Sequence, residues 1–267
     1  MGRESARTFV VAVAEIAGRL DDEAAPLAAL LGLTAFDIRN RLGGALPRVV
    51  FQSSSEEAAR RAFAALRARG HGVLLVDTEM VPSYVDVVRV RRFAVDDSGL
   101  LPSTPTGPRL AFDDLGAVLH VALRSPVVRS KREKELRPQG GRVPTTVEVE
   151  HLAHEHAEVH AAYLFPRAGG RARPRPWLLH ERETSFLGLG PGLRLTRREN
   201  LGAAIDLVRR RAPGALYDDR FVARPLVSSQ IIAVRGNATA EAGLPDGNVD
   251  LAVHLLAEWL LGGGPYR

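Results

Sequence analysis

The apolar pattern of the chain changes character at Pro82, and that change limits what the chain can fold into. Before Pro82, short apolar runs alternate with stretches of helical periodicity. After it, apolar runs follow one another with little helical pattern until Thr196. One kind of core cannot serve both halves, because strands repeat every two residues and helices every 3.6.

In the first half, Thr8–Ile16 is rich in Val and Phe and predicts a strand. Asp21, Asp22 and Glu23 put acids in the first turn of a helix, where the helix dipole favours them. Leu27, Leu30 and Leu31 form its stripe, and Gly32 stops it. Thr34 caps a second helix through Arg41, with Phe36, Ile38 and Leu42 read as facing inward. Pro47–Gln52 predicts a short strand. Ser54 or Ser55 caps a third helix with apolar Ala59, Phe63 and Leu66, Gly70 closes it, and Val73–Val76 predicts a third strand.

The order of helix, Gly32-Leu33, short helix, Pro47, strand, Ser-Glu-Glu-Ala at 55–58, helix, Arg69-Gly70 and strand resembles the C-terminal domain of the bacterial ribosomal stalk protein. That fold is shared with the small adaptor of the Clp protease. The resemblance covers about residues 8–80 and implies a small protein-binding module. The stalk domain recruits translation factors with a lysine-bearing helix after its Gly-Leu turn; here that helix carries Ala35, Asp37, Arg39 and Arg41.

Beyond Pro82, Tyr84–Val95 and Arg109–Phe112 predict strands around a turn at Asp96-Asp97-Ser98-Gly99. Ala117–Leu123 predicts a buried strand. The polar stretch Arg129–Thr145 predicts a long loop or a hairpin tip. Ala161–Phe165 and Trp177–Glu181 predict strands joined by Arg167–Arg175. Thr196 with Glu199 makes a capping box for a helix to about Arg211, which Pro213 ends. Several strands closed by one amphipathic helix weakly resemble a bacterial pleckstrin-homology-like domain. That resemblance implies a barrel capped by the helix, with ligands bound by loops at one open end. The remainder predicts a strand at Ser229–Val234 and a helix at Asn248–Leu261 whose apolar residues nearly surround it. Such a helix is either buried or a surface for homo-oligomer formation.

The expected fold class is therefore α+β: a small α/β module at 1–82, a predominantly β domain with a closing helix at 83–222, and a tail at 223–267 ending in an apolar helix.

Charge divides along the same lines. Residues 1–82 hold 10 basic and 10 acidic side chains, residues 83–222 hold 23 and 17, and residues 223–267 hold 3 and 4. The whole excess lies in the middle segment, which an acidic partner would meet first. Two runs carry it onto expected loops. The first is Arg129, Lys131, Arg132, Lys134 and Arg137; the second is Arg171, Arg173 and Arg175. Both are candidate anion-binding residues, and a barrel would bring them together at one end.

Catalytic signals are weak. There is no cysteine, so thiolate metal sites and thiol nucleophiles are excluded. His151, His154, His156 and His160 fall within ten residues. On a helix His156 and His160 would share a face, as zinc ligands do. On a strand 154, 156 and 160 would share one instead. The segment is read as solvated and polar, with a His-rich metal-dependent enzyme as the outside alternative. Gly188, Gly190 and Gly192 precede a capped helix but lack the Lys of a phosphate loop, and no G-x-S-x-G elbow exists. No catalytic residue, metal ligand or cofactor is assigned. The apolar run Phe9–Ala14 is too short for a signal peptide or a membrane span. The expected function is a non-enzymatic, cytoplasmic interaction or adaptor protein, its first module binding protein and its basic domain binding an anionic surface. A nucleic-acid or ribosome-associated binding protein is the alternative.

Overall fold

The computed structural model describes residues 7–102, 109–139, 142–167, 175–227, 232–235 and 247–262, with backbone alone over 133–139, 142–149 and 232–235. It is an α+β protein with several sheets.

The chain starts with β1 (Phe9–Glu15), α1 (Leu20–Leu31), α2 (Ala35–Leu42), β2 (Arg48–Ser53), α3 (Glu56–Ala68) and β3 (Gly72–Asp77). The strands form an antiparallel sheet in the order β2-β1-β3. Local signals explain the helix ends. Thr34 and Asp37 close a capping box on α2, Ser55 caps α3, and Gly32 ends α1 at φ 68°, a left-handed conformation that glycine adopts without strain. Phe9, Val11 and Val13 face the three helices. Val10, Ala12 and Ala14 face the other way, into a second apolar layer. Both faces of β1 are covered, which is why its sequence is an unbroken apolar run instead of an alternating one.

After a 3₁₀ turn at Thr78–Met80 come β4 (Val88–Arg89), β5 (Phe93–Val95), β6 (Gly99–Pro102) and β7 (Leu110–Ala111). The expected long strand over 84–95 is thus two short ones, and β5-β6-β7 form a small antiparallel sheet of their own. The dominant feature is next. Strands β8 (Leu115–Gln139) and β9 (Arg142–Pro166) are 25 residues each and pair antiparallel along almost their whole length. Each spans roughly 80 Å at the usual strand rise. β10 (Trp177–His180) adds to β9, and β4 adds parallel to β10.

The helix α4 (Arg197–Arg211) follows, opened by the Thr196–Glu199 capping box. Then β11 (Leu216–Asp218), the short α5 (Arg220–Ala223), β12 (Leu226–Val227) and β13 (Ile232–Arg235) run up the free side of β8, each parallel to it. The last element is α6 (Gly247–Leu261).

α4 and α6 cover opposite faces of the large sheet. Val118, Ala162 and Leu164 pack under α4 with Leu201, Ala204, Ile205 and Val208. Leu119, Val121, Leu123 and Tyr163 pack under α6 with Val253 and Leu256. On its other side α6 meets the first sheet, where Leu255 joins Val10, Ala12, Leu74 and Val76. The approach is close: a Cβ at Gly72 would come within 2.5 Å of the Trp259 ring. The helix read as either buried or a surface for self-association is therefore lodged between two sheets of its own chain. No helix among the described residues is long and apolar enough to cross a membrane.

Two sequence expectations are settled. Of the two readings of Arg129–Thr145, the hairpin holds and the long loop does not: the described part of the stretch is the outer length of the β8–β9 hairpin. Its register sets Arg132 opposite Glu150, and opposite charges across a ladder favour strand pairing. Phe36 does not face inward: it is 69% exposed. On α2 the buried residues are Ile38 and Leu42, one turn apart, and Phe36 lies two residues before Ile38, on the far side of the helix.

Candidate interaction site

Where β8 and β9 leave the shelter of α4, the apolar ladder gives way to a polar one. Directly opposed residues on the α4 face run Val118/Leu164, His120/Ala162, Ala122/His160, Arg124/Glu158 and Pro126/His156. His120 and His160 converge, Nε2 of the first 3.1 Å from Nδ1 of the second. His160 Nε2 lies 3.3 Å from Glu158 Oε1, and its backbone N–H donates to Glu181 Oε2 at 2.8 Å. The arrangement is satisfied when both rings are neutral: His160 donates through Nε2 to Glu158 and accepts at Nδ1 from His120. Burial first, and the neighbouring His160 second, push the His120 ring down to about 4. Arg124 donates to Glu158 at 3.0 Å and holds that carboxyl below the usual range. Arg198, in the first turn of α4, lies 3.8 Å from Glu158 and 3.7 Å from Glu181. The cluster thus ties the base of the hairpin to α4.

Its chemistry is that of a brace. Among the described residues no hydroxyl hydrogen-bonds to either ring, and no three His, Asp or Glu side chains converge as a metal site. The histidine segment lies on β9, so His154, His156 and His160 do share a strand face. His154 and His156 are exposed beyond the sheet, while only His160 reaches His120. No local pattern signals that partnership, since 40 residues separate the two rings.

Past Ser130 no further strand pairs with the hairpin among the described residues, since β13 pairs Val127–Ser130. From Lys131 to Gln139 it projects roughly 30 Å as a two-stranded arm. Of the first basic run, Arg129 lies just before the arm, opposite β13, Lys131 and Arg132 are at its start, and Lys134 and Arg137 lie further out along the same strand. Acids of β9 face them. Arg129 sits 3.5 Å from Glu155, and Ser130 hydrogen-bonds Glu150. Lys131 and Arg132 are exposed.

Of the second run, Arg171 and Arg173 lie outside the described residues. Arg175 precedes Trp177, which pairs with Leu164 near the opposite end of β9. Ala153, opposite Arg129, is eleven residues from Leu164 along that strand, about 36 Å away. The expected convergence of Arg175 with the first run does not occur, because the first run is carried outward on strands and not gathered in loops.

The remaining concave surfaces lie elsewhere. A cleft of about 590 Å³ is bounded by the 3₁₀ segment Leu187–Gly192 and by Arg194, Asp206 and Arg210 of and before α4. A second, of about 420 Å³, lies where Arg167 approaches His254 and Glu258 of α6. On the first module the outstanding surface feature is Phe36, at the start of a helix whose other exposed residues, Arg39, Asn40 and Arg41, are polar.

Set against known protein families, curated proteins and solved structures, the chain matches none. What fold and surface define is an α+β protein with a projecting hairpin and an exposed aromatic on its first module.

Proposed function

We propose that this chain is a non-enzymatic interaction protein of the cytoplasm whose first module docks a protein partner through the α2 face bearing Phe36. The observation that carries the reading is the 69% exposure of that phenyl ring. A single exposed aromatic on an otherwise polar helix is the type of anchor that protein interfaces favour. The element order of the module, which resembles the stalk and Clp-adaptor fold, supports the same reading. The basic segment supplies the second half of the proposal, contact with an anionic surface through Arg129 at the foot of the arm and Lys131 and Arg132 on it. Their acidic neighbours Glu150 and Glu155 make that contact one of steering and salt-sensitive attraction, not of a bare cationic patch.

The test is capture from a native lysate by immobilised wild-type protein and by Phe36→Ser. A partner retained by the wild type and lost by the variant, at unchanged melting temperature, supports the reading. A partner held equally by both, or none held by either, overturns it.

A further inference from the structure

The outer edge of β9 is open. β10 covers it only from Ala161 to Leu164, and among the described residues no strand pairs with it from Arg142 to His160. The direction of its hydrogen-bonding groups is fixed at His160. There the N–H donates to Glu181 Oε2 at 2.8 Å and the carbonyl accepts from Glu181 N–H at 3.0 Å, both on the side away from β8. The β8–β9 register runs without a shift from Ala117 to Arg137. With a strand period of two, the N–H and C=O of Glu158, His156, His154, Leu152 and Glu150 also point away from β8. An edge of this length is a template for another strand.

The side chains on that stretch suit one occupant above others. Leu152 is 61% exposed, and Glu150 and His154 flank it at equal spacing, exposed on the same face. If the strand meets its own copy antiparallel with Leu152 opposite Leu152, Glu150 falls opposite His154 twice, once on each side of the two-fold axis. Centring instead on Glu150 or on His154 sets like groups against each other. Centring on Ala153 sets Leu152 against His154. In the Leu152 register the central pair is also one that exchanges both backbone hydrogen bonds, because its N–H and C=O groups already point outward.

We propose that the exposed edge of β9, centred on Leu152, pairs antiparallel with the same edge of a second copy of this chain. The interface is isologous, closes on itself as a dimer and leaves the Phe36 face of the first module untouched. It joins the two hairpins edge to edge through β9, with the projecting arms pointing in opposite directions on either side of the two-fold axis.

Light scattering of the full chain over a concentration series reads the state directly, with hydrogen exchange at the Leu152 and His154 amides as the local probe. Wild type is expected to dimerise, with both amides protected only in the dimer. Leu152→Pro removes an outward N–H without touching the β8 ladder, and Leu152→Lys sets two cations opposite each other; each is expected to weaken association about tenfold or more. Glu150→Lys should weaken it as well, and Glu150→Lys with His154→Glu should restore it. Three outcomes overturn the proposal. One is a wild type that stays monomeric at the highest soluble concentration, with or without protected amides. The second is a dimer indifferent to every one of these variants. The last is a double variant that stays as weak as Glu150→Lys alone.

Discussion

Nε2 of His120 and Nδ1 of His160 meet at 3.1 Å across β8 and β9, at the point where the apolar ladder under α4 ends. Burial disfavours a charge on the His120 ring first, and the neighbouring His160 ring second. His120 is accordingly pushed down to about 4 from a usual 6.5. A base whose pKa is depressed in the fold stabilises the fold above its unfolded pKa and loses that contribution as the pH falls. Between pH 6.5 and 4 the unfolded chain takes up a proton that the native ring refuses. With the ring partly exposed and its charge partly screened by water, stability should drop over that interval by about 1–2 kcal/mol from this group. Urea unfolding of wild type and His120→Asn at neutral and acid pH isolates the effect. The variant should lose less than wild type on acidification, and equal losses would assign the acid limb to carboxylates elsewhere.

Leu255 and Leu256 are neighbours on α6, each 1% exposed, yet they belong to different cores. Leu255 serves the first sheet and Leu256 the large one. Either change to Ala should cost about 2–5 kcal/mol, the usual range for a buried Leu. A two-probe experiment distinguishes them from an exposed site: both should lower the melting temperature of the whole chain, whereas Leu261→Ala, at 38% exposure, should barely move it.

Residues 1–82, taken alone, would leave Val10, Ala12, Ala14, Leu74 and Val76 uncovered, since α6 supplies their lid. The helix-covered side of the sheet, with Phe9, Val11, Val13, Leu27 and Leu66, stays complete. The fragment should fold cooperatively but melt below the full chain and bind a hydrophobic dye. Adding a peptide of residues 247–261 should raise its melting point. A fragment as stable as the intact protein, or one insensitive to the peptide, would show that the lid contributes little.

Lys131 and Arg132 are exposed on the arm, and reversing both to Glu leaves every apolar contact in place. Melting should change by less than about 1 kcal/mol, since exposed charges contribute little to stability. Retention on vesicles containing anionic lipid should fall, and wild-type retention should weaken as salt is added. RNA held in place of vesicles would point to the nucleic-acid alternative, and wild-type protein that holds neither at low salt would remove the anionic partner from the reading.

The exposed Phe36 ring and the arm show where sequence reading works and where it stops. Gly32, the Thr34–Asp37 and Thr196–Glu199 boxes and the Ser55 cap act within a turn of their own position, so the element order through Asp77 and the extent of α4 could be read directly. So could the burial of Ala117–Leu123, because a strand apolar at all but one position is favoured where both its faces are covered.

What the tertiary structure alone decided depends on partners far along the chain. Arg129–Thr145 left a long loop and a hairpin tip both open because its polar residues carry no alternation, and the hairpin forms with Glu150 and Glu155 of β9 brought opposite or diagonal to Arg132 and Arg129. The His120–His160 pair needed a register that joins residues 40 apart. Burial of α6 needed two sheets, and only their placement could show that one apolar helix closes both. Phe36 was misjudged for the same reason: apolar content says that a residue gains by burial, and only the packing of Ile38 and Leu42 says which side of the helix is inside.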